Sequence, residues 1–391
     1  MKVILMNQNT KVLSGELESD NSFSKIYEYY NIDYAPLKVH TAYYSKSISN
    51  LKAINSWFSE RSIPLWRDNI ENLLRNLNIS SSKELLDKAY GLSLSDQYWI
   101  KREEDKILWK DINFFDNNFK YKKYLKASLK YSNEVSNIDK KSPNNTTDGM
   151  VKKAWIIDKN NNRVLVKGAY TDACLEPISE YMTSLICNRL NISYCDYTLD
   201  IIDNELVCKC NNFLNKDEEI ITAFDILGSE HKDNNTSYYN HYINILNKHG
   251  IMDAQDKLSD MYLIDYLLMN TDRHMKNYGI IRNVKTLKWE RVTPMFDTGN
   301  SMQSDVIEPF IDFYNDRYKF FYSRKTLNDI LKYINISKYD LSLLDDLVDE
   351  LSNIIDKYSD IIKLNDIRKN KTIEGFKLRI DMLKKYQKSV A

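Results

Sequence analysis

The order of several small signals constrains this chain more than any single motif does. The apolar run Val164-Leu165-Val166 ends in Lys167, and an expected helix carrying Glu176 and Glu180 comes next. Two short strands follow, at about 197–202 and 205–210. A helix with the apolar stripe Leu258, Met261, Tyr262, Leu268 and Met269 then runs to Asn270-Thr271. It opens into Asp272-Arg273-His274-Met275-Lys276-Asn277-Tyr278-Gly279, and Pro294-Met295-Phe296-Asp297-Thr298-Gly299 lies downstream. Each signal is weak by itself. A strand ending in lysine is usually an edge with a solvated amine, and Asp-x4-Asn arises often by chance. His274 alone reads as a structural histidine, Arg273 and Lys276 as surface charges, and Asp265 as a hydrogen-bonded brace. The order carries the weight. Four of the nine glycines, at 149, 168, 279 and 299, fall beside these pieces.

The residue types suit phosphoryl transfer, which needs a group to orient the attacking hydroxyl, metal ligands and a cation for the phosphates. Asp272 can accept a hydroxyl proton. Five residues on, the amide oxygen of Asn277 can bind a divalent cation, and Asp297 can bind the same cation. The Asp-x4-Asn loop, hairpin and Asp-x-Gly have the outline of a kinase catalytic segment. Lys167 is the expected phosphate-binding lysine. Its partner is Glu176 or Glu180, and Glu180 is favoured because it lies a turn inside the helix. No GxGxxG precedes the strand. The loop Ser142–Gly149 is placed to cover phosphates through backbone N–H groups and the hydroxyls of Ser142, Thr146 and Thr147.

The rest of the chain divides around this core. Residues 2–18 read as a β-hairpin, and 23–135 as mostly helical, with a capping box at Ser81-x-x-Glu84 and a stop at Gly91. Segment 136–215 reads β-β-α-β-β, with Tyr181, Leu185, Ile186 and Leu190 as the helix stripe. From 216 onward helical periodicity dominates, and the last 65 or so residues form two or three amphipathic helices. The expected domains are therefore 1–135, 136–215 and 216–391.

Composition removes several classes. Lys+Arg and Asp+Glu both number 55, so a bulk nucleic-acid or anionic-membrane partner has no electrostatic support. Five cysteines, an odd number, do not make a disulfide framework, and Cys208-x-Cys210 reads as two buried thiols on one strand face. No apolar run approaches the roughly 20 residues of a membrane span, and the first residues do not form a signal peptide. The expected compartment is the cytoplasm.

NTDRHMKNYG followed by PMFDTGNS resembles the HipA-like serine/threonine kinases, whose core is related to protein and phosphoinositide kinases. The resemblance covers about 136–305. It implies an α+β, two-lobed, protein-kinase-like fold: a small mixed β lobe, a large helical lobe and an extra N-terminal domain. It implies ATP and Mg²⁺ as cofactors, with Asp272 catalytic, Asn277 and Asp297 on the metal, and Lys167 and Glu180 at the phosphates. His274 then braces the catalytic loop, and Asn212 and Phe213 lie near the adenine. Residues after Asp297, to about Lys325, act as an activation segment. In the best-known members a serine of the phosphate loop is autophosphorylated. Ser142 is the nearest match, with Thr146 and Thr147 as alternatives. The implied substrate is a protein with a Ser or Thr acceptor, and the implied partner is an antitoxin protein. A pseudokinase-like binding module and a small-molecule or lipid kinase on the same fold are the rival readings.

Overall fold

The computed structural model describes residues 1–61, 89–129, 141–146, 152–362 and 364–390. The Ser81–Glu84 capping box, Thr147 and Gly149 lie outside the described residues. The chain forms two compact units. The first comprises Met1–Val166, Asn212–His231 and Ile280–Arg291, and the second comprises Lys167–Asn211, Lys232–Gly279 and Val292–Ala391.

In the first unit the expected N-terminal hairpin forms from β1 (Lys2–Asn7) and β2 (Thr10–Leu17), in antiparallel register with Ile4 opposite Ser14. The helical expectation for 23–135 is only partly met. Two more strands, β3 (Phe23–Tyr29) and β4 (Tyr98–Arg102), complete a sheet of order β3-β2-β1-β4. β-branched and aromatic residues with polar neighbours favour the extended form there, and pairing with the hairpin settles the choice. β1 is central and buried on both faces. Val3 and Leu5 pack with Val39, Ile54 and Phe58 of two helices, α1 (Leu37–Ser45) and α2 (Asn50–Ser59). Ile4 and Met6 pack on the other side with Trp99, Trp109 and Phe114. A strand covered on both faces reads as an unbroken apolar run, as KVILM does. Gly15 sits at a register shift in β2, where a Cβ would lie 2.5 Å from the Lys25 carbonyl oxygen. Three further strands, β9 (Glu218–Thr222), β10 (Gly279–Asn283) and β11 (Trp289–Val292), pair in the order β11-β10-β9. The expected hairpin after Gly279 is thus present. Arg282 of β10 is buried against Glu219 at 2.6 Å and donates to the Tyr98 hydroxyl at 3.1 Å.

Between them in sequence, β5 (Lys153–Ile157) leads to β6 (Arg163–Gly168), and the division of the units passes between Val166 and Lys167. In the second unit β7 (Tyr197–Ile202) and β8 (Glu205–Asn211) pair through a two-residue loop, Asp203-Asn204, both residues with positive φ. Asp and Asn tolerate that conformation, and it matches strand twist. Cys208 and Cys210 are buried and free, as the alternation indicates. The helix Glu176–Arg189, α3, starts where Pro177 requires. Its most buried apolar residues are Ile178, Met182, Ile186 and Cys187, rather than Tyr181, Leu185 and Leu190. The stripe shifts because the buried face also holds Ser179, Glu180, Thr183 and Ser184.

The hub of the second unit is α4 (Ala254–Leu268), buried almost all round and packed against α3, Tyr238–Lys248 and the C-terminal helix Asp366–Val390. It ends at Leu268 because Met269 adopts a left-handed conformation, φ 52°. The C-terminal helix is pinned by Arg379. Its guanidinium donates to the Tyr266 carbonyl at 3.0 Å and to the Tyr314 carbonyl at 3.0 Å. No helix among the described residues is long and apolar enough to cross a membrane.

Candidate active site

The second unit gathers Lys167, Glu180, Asp272, His274, Asn277 and Asp297, residues that lie far apart in sequence. The Lys167 ammonium is buried and lies 2.5 Å from Glu180 Oε1 and 2.8 Å from Asp297 Oδ1. Burial works against its charge, but the carboxylates of Asp297 and Glu180 outweigh that and hold its pKa well above the ordinary value. The aromatic face of Tyr197 lies beneath it, 5.4 Å away. Of the two candidate partners, Glu180 meets the lysine. Glu176 instead accepts from the Thr171 backbone N–H at 3.0 Å. Position inside the helix decides this, as the sequence suggests.

Glu180 has a second contact. Its Oε2 accepts from the Thr298 N–H at 3.2 Å and the Thr298 hydroxyl at 3.1 Å. Thr298 also meets Thr183 of α3, oxygen to oxygen, at 2.6 Å. One glutamate thus fixes the lysine and the residue after Asp297. Asp297 itself adopts φ 58°, a left-handed conformation. An aspartate held there costs some backbone strain, and residues held in this way cluster at functional sites.

The loop bearing Asp272 and Asn277 is held from below. Asp265, the carboxylate inside the α4 stripe, is fully buried and is the expected brace. It accepts from Arg273 Nε at 3.0 Å, Asn270 Nδ2 at 2.8 Å and the Tyr318 hydroxyl at 2.7 Å. Arg273 is not the surface charge its local sequence suggests: it is 2% exposed. Burial disfavours its charge, and the Asp265 carboxylate more than compensates, so its pKa is raised. Arg273 Nη1 donates to the carbonyl oxygens of Asn277 at 3.0 Å and Phe296 at 2.8 Å. The loop bearing Asn277 and the segment bearing Asp297 are therefore tied by one guanidinium. Asn277 Nδ2 donates to the Asp272 carbonyl at 3.2 Å, which orients its amide. His274 N–H donates to the same carbonyl at 2.7 Å, and His274 Nδ1 accepts from the Lys276 N–H at 3.3 Å. Burial lowers the His274 pKa, with Asp272 acting against that. These contacts suit a loop brace. Asp272 is partly exposed and ion-paired to Lys319, a residue that sequence reasoning placed in the activation segment without a role.

Other sequence candidates lie in the first unit. Ser142 is buried, its hydroxyl accepting from Asn144 Nδ2 at 3.1 Å, and Thr146 ends a short 3₁₀ turn, Pro143–Thr146. Asn212 Nδ2 donates to the Leu94 carbonyl at 3.0 Å, and Phe213 is its neighbour.

Comparison with known proteins agrees with the motif reading. Residues 145–336 match the family described as the HipA-like C-terminal domain. A serine/threonine-protein kinase of Helicobacter pylori, CtkA, is 28% identical over 142 residues, which are 34% of this chain and 42% of that protein. The match thus spans less than half of the relative's length. The crystal structure of the H. pylori proinflammatory kinase CtkA aligns at TM-score 0.48 and 19% identity, over 61% of this chain and 94% of that one. HipA of Shewanella oneidensis MR-1, in a toxin–antitoxin complex of HipA, HipB and operator DNA, aligns at TM-score 0.51 and 12% identity. That alignment covers 98% of this chain and 97% of HipA, so the likeness in fold extends through the N-terminal region. Residues 145–336 match a HipA-like C-terminal domain, and over that segment the chain resembles the HipA-like kinases.

Proposed function

We propose that this HipA-like chain is an ATP- and Mg²⁺-dependent kinase that phosphorylates Ser or Thr of a protein. The observation that carries the reading is the joining of Lys167 to both Glu180 and Asp297, together with a loop in which the Asn277 side-chain amide donates to the Asp272 carbonyl. In this reading Lys167 binds the α/β-phosphates and Glu180 fixes it. Asp272 orients the acceptor hydroxyl and takes its proton, and His274 braces the loop. A carboxylate and an amide oxygen are the hard donors that Mg²⁺ prefers, so Asp297 and Asn277 fit the ion. When bound, the ion neutralises phosphate charge. Tying both segments to Arg273 keeps their spacing constant.

The adenine role of Asn212 and Phe213, and phosphorylation of Ser142, Thr146 or Thr147, remain proposals for mutagenesis and phosphosite mapping. An antitoxin-type protein partner is proposed from the HipA-like fold of nearly the whole chain. The kinase reading is tested by incubating wild type and Asp297→Asn with labelled ATP, Mg²⁺ and a cell lysate. Label in protein, lost with Asp297→Asn, is expected. Label in an extractable small molecule points to the rival substrate class. Normal phosphorylation by Asp297→Asn overturns the assignment.

A further inference from the structure

A hairpin 47 residues downstream carries a cation to Asp272. Its strands are β12 (Arg317–Phe320) and β13 (Ser323–Thr326). Alternation along β12 buries Tyr318 and Phe320 and leaves Lys319 on the other side, its side chain 47% exposed. The Lys319 ammonium pairs with Asp272 Oδ1. Its position is not left to a flexible loop. The neighbouring Tyr318 hydroxyl donates to Asp265, the same buried carboxylate that grips Arg273. One buried node therefore sets the place of Lys319 and the spacing of Asn277 and Asp297.

The reaction needs a cation at that place. As phosphoryl transfer proceeds, charge is spread over three equatorial oxygens, and preorganised cations there act on the transition state. Two buried cations near the loop, Lys167 and Arg273, are committed elsewhere. Lys167 is tied to Glu180 and Asp297, and Arg273 is enclosed around Asp265. A group touching Asp272 lies where the acceptor oxygen meets phosphorus, since Asp272 holds that acceptor. We propose that Lys319 is a catalytic residue that exchanges Asp272 for an equatorial oxygen of the transferring phosphoryl group; the proposal rests on the kinase reading above. In the step the acceptor oxygen bonds to the γ-phosphorus. The bond from that phosphorus to the bridging oxygen breaks, its electron pair leaving with ADP. The acceptor proton passes to Asp272, and Lys319 stays protonated throughout.

The same contact could instead be a latch that masks Asp272. Its exposure argues against this, because a solvated ion pair shifts such an equilibrium by no more than about fivefold. A buried anchor one residue away is also more than a weak latch requires.

The experiment uses the full chain as wild type, Lys319→Met, Lys319→Arg and Asp297→Asn. Phosphate release from MgATP and label incorporation into the protein are measured, with the MgATP dissociation constant taken separately. Because Lys319 is half exposed, the variants are expected to melt with the wild type. Lys319→Met should lower kcat by ~100-fold, as loss of one transition-state donor does, while MgATP affinity changes less than about threefold. Lys319→Arg should recover much of the rate. Lys319→Met turning over at or above the wild-type rate overturns the proposal and identifies a latch. Equal losses of rate and MgATP affinity overturn it in favour of ground-state binding. Wild-type protein without transfer, or fully active Asp297→Asn, overturns the kinase reading itself and this role with it.

Discussion

Replacing Arg273 with methionine should damage the second unit more than any surface change near the site. The substitution keeps much of the volume and removes the charge. It leaves Asp265 as a buried carboxylate, 0% exposed, with only Asn270 Nδ2 and the Tyr318 hydroxyl as partners among the contacts described above. Breaking one side of a buried pair costs about 3–5 kcal/mol. The two remaining donors favour the lower part of that range. The Asn277 and Phe296 carbonyls also lose their shared donor, which adds ~1 kcal/mol. The expected loss is about 4 kcal/mol, a large fraction of the 5–15 kcal/mol typical of a folded protein.

Urea unfolding of the full chain, followed by a probe in the second unit, measures this. With a slope of ~2 kcal/mol per molar urea, the midpoint should fall by about 2 M. The double variant Asp265→Asn/Arg273→Met supplies the control. It has no buried charge, and the new amide oxygen still accepts from Tyr318. It should be more stable than Arg273→Met alone by ~2 kcal/mol, although it carries one more substitution. A single variant that loses less than about 1 kcal/mol, or losses that simply add, would refute the reasoning.

Three further outcomes follow from packing and burial. Cys187, Cys195, Cys208 and Cys210 are buried while Cys174 is half-buried, and burial pushes the thiols of Cys187, Cys195 and Cys208 up. Iodoacetamide on the native protein should therefore modify Cys174 alone by mass spectrometry, and early labelling of the others would contradict their placement. Gly375 lies in the C-terminal helix, where a Cβ would stand 2.2 Å from the buried Phe313 ring. Gly375→Ala should lower Tm by ~2–6 °C despite the better helix propensity, and a higher Tm would show that Phe313 gives way. Burial holds the His40 pKa below its ordinary value of 6.5, with Asp33 opposing. The unfolded chain then takes up that proton first, so stability is unaffected above about pH 6.5 and falls as pH drops below it. His40→Asn should flatten that acid-side slope in denaturation measured from pH 7.5 to 5.5, and an unchanged slope would refute the attribution.

Much of the candidate site could be read from local sequence because its parts sit on regular elements. Lys167 ends a strand, Glu180 lies a turn inside a helix, and Asp272 and Asn277 follow a helix end. Short-range patterns encode such positions. The choice of Glu180 over Glu176 was legible for the same reason. Arg273 was not, because nothing local marks an arginine as buried. Its fate depends on Asp265 eight residues away and on a carbonyl near Asp297. Lys319 and Tyr318 were harder still, since Arg-Tyr-Lys-Phe matches no motif and meets the loop only through tertiary packing. Strand β3 was read as helical because seven residues with three aromatics are ambiguous until β2 offers a partner.

In the proposed function Asp272 serves phosphoryl transfer. Purified wild type and Asp272→Ala, each incubated with labelled ATP and Mg²⁺, test it most directly, with mass spectrometry locating any label on the chain. Label is expected on the wild type and none on Asp272→Ala, with both binding MgATP. Equal labelling of the two, or no MgATP binding by the wild type, would contradict it.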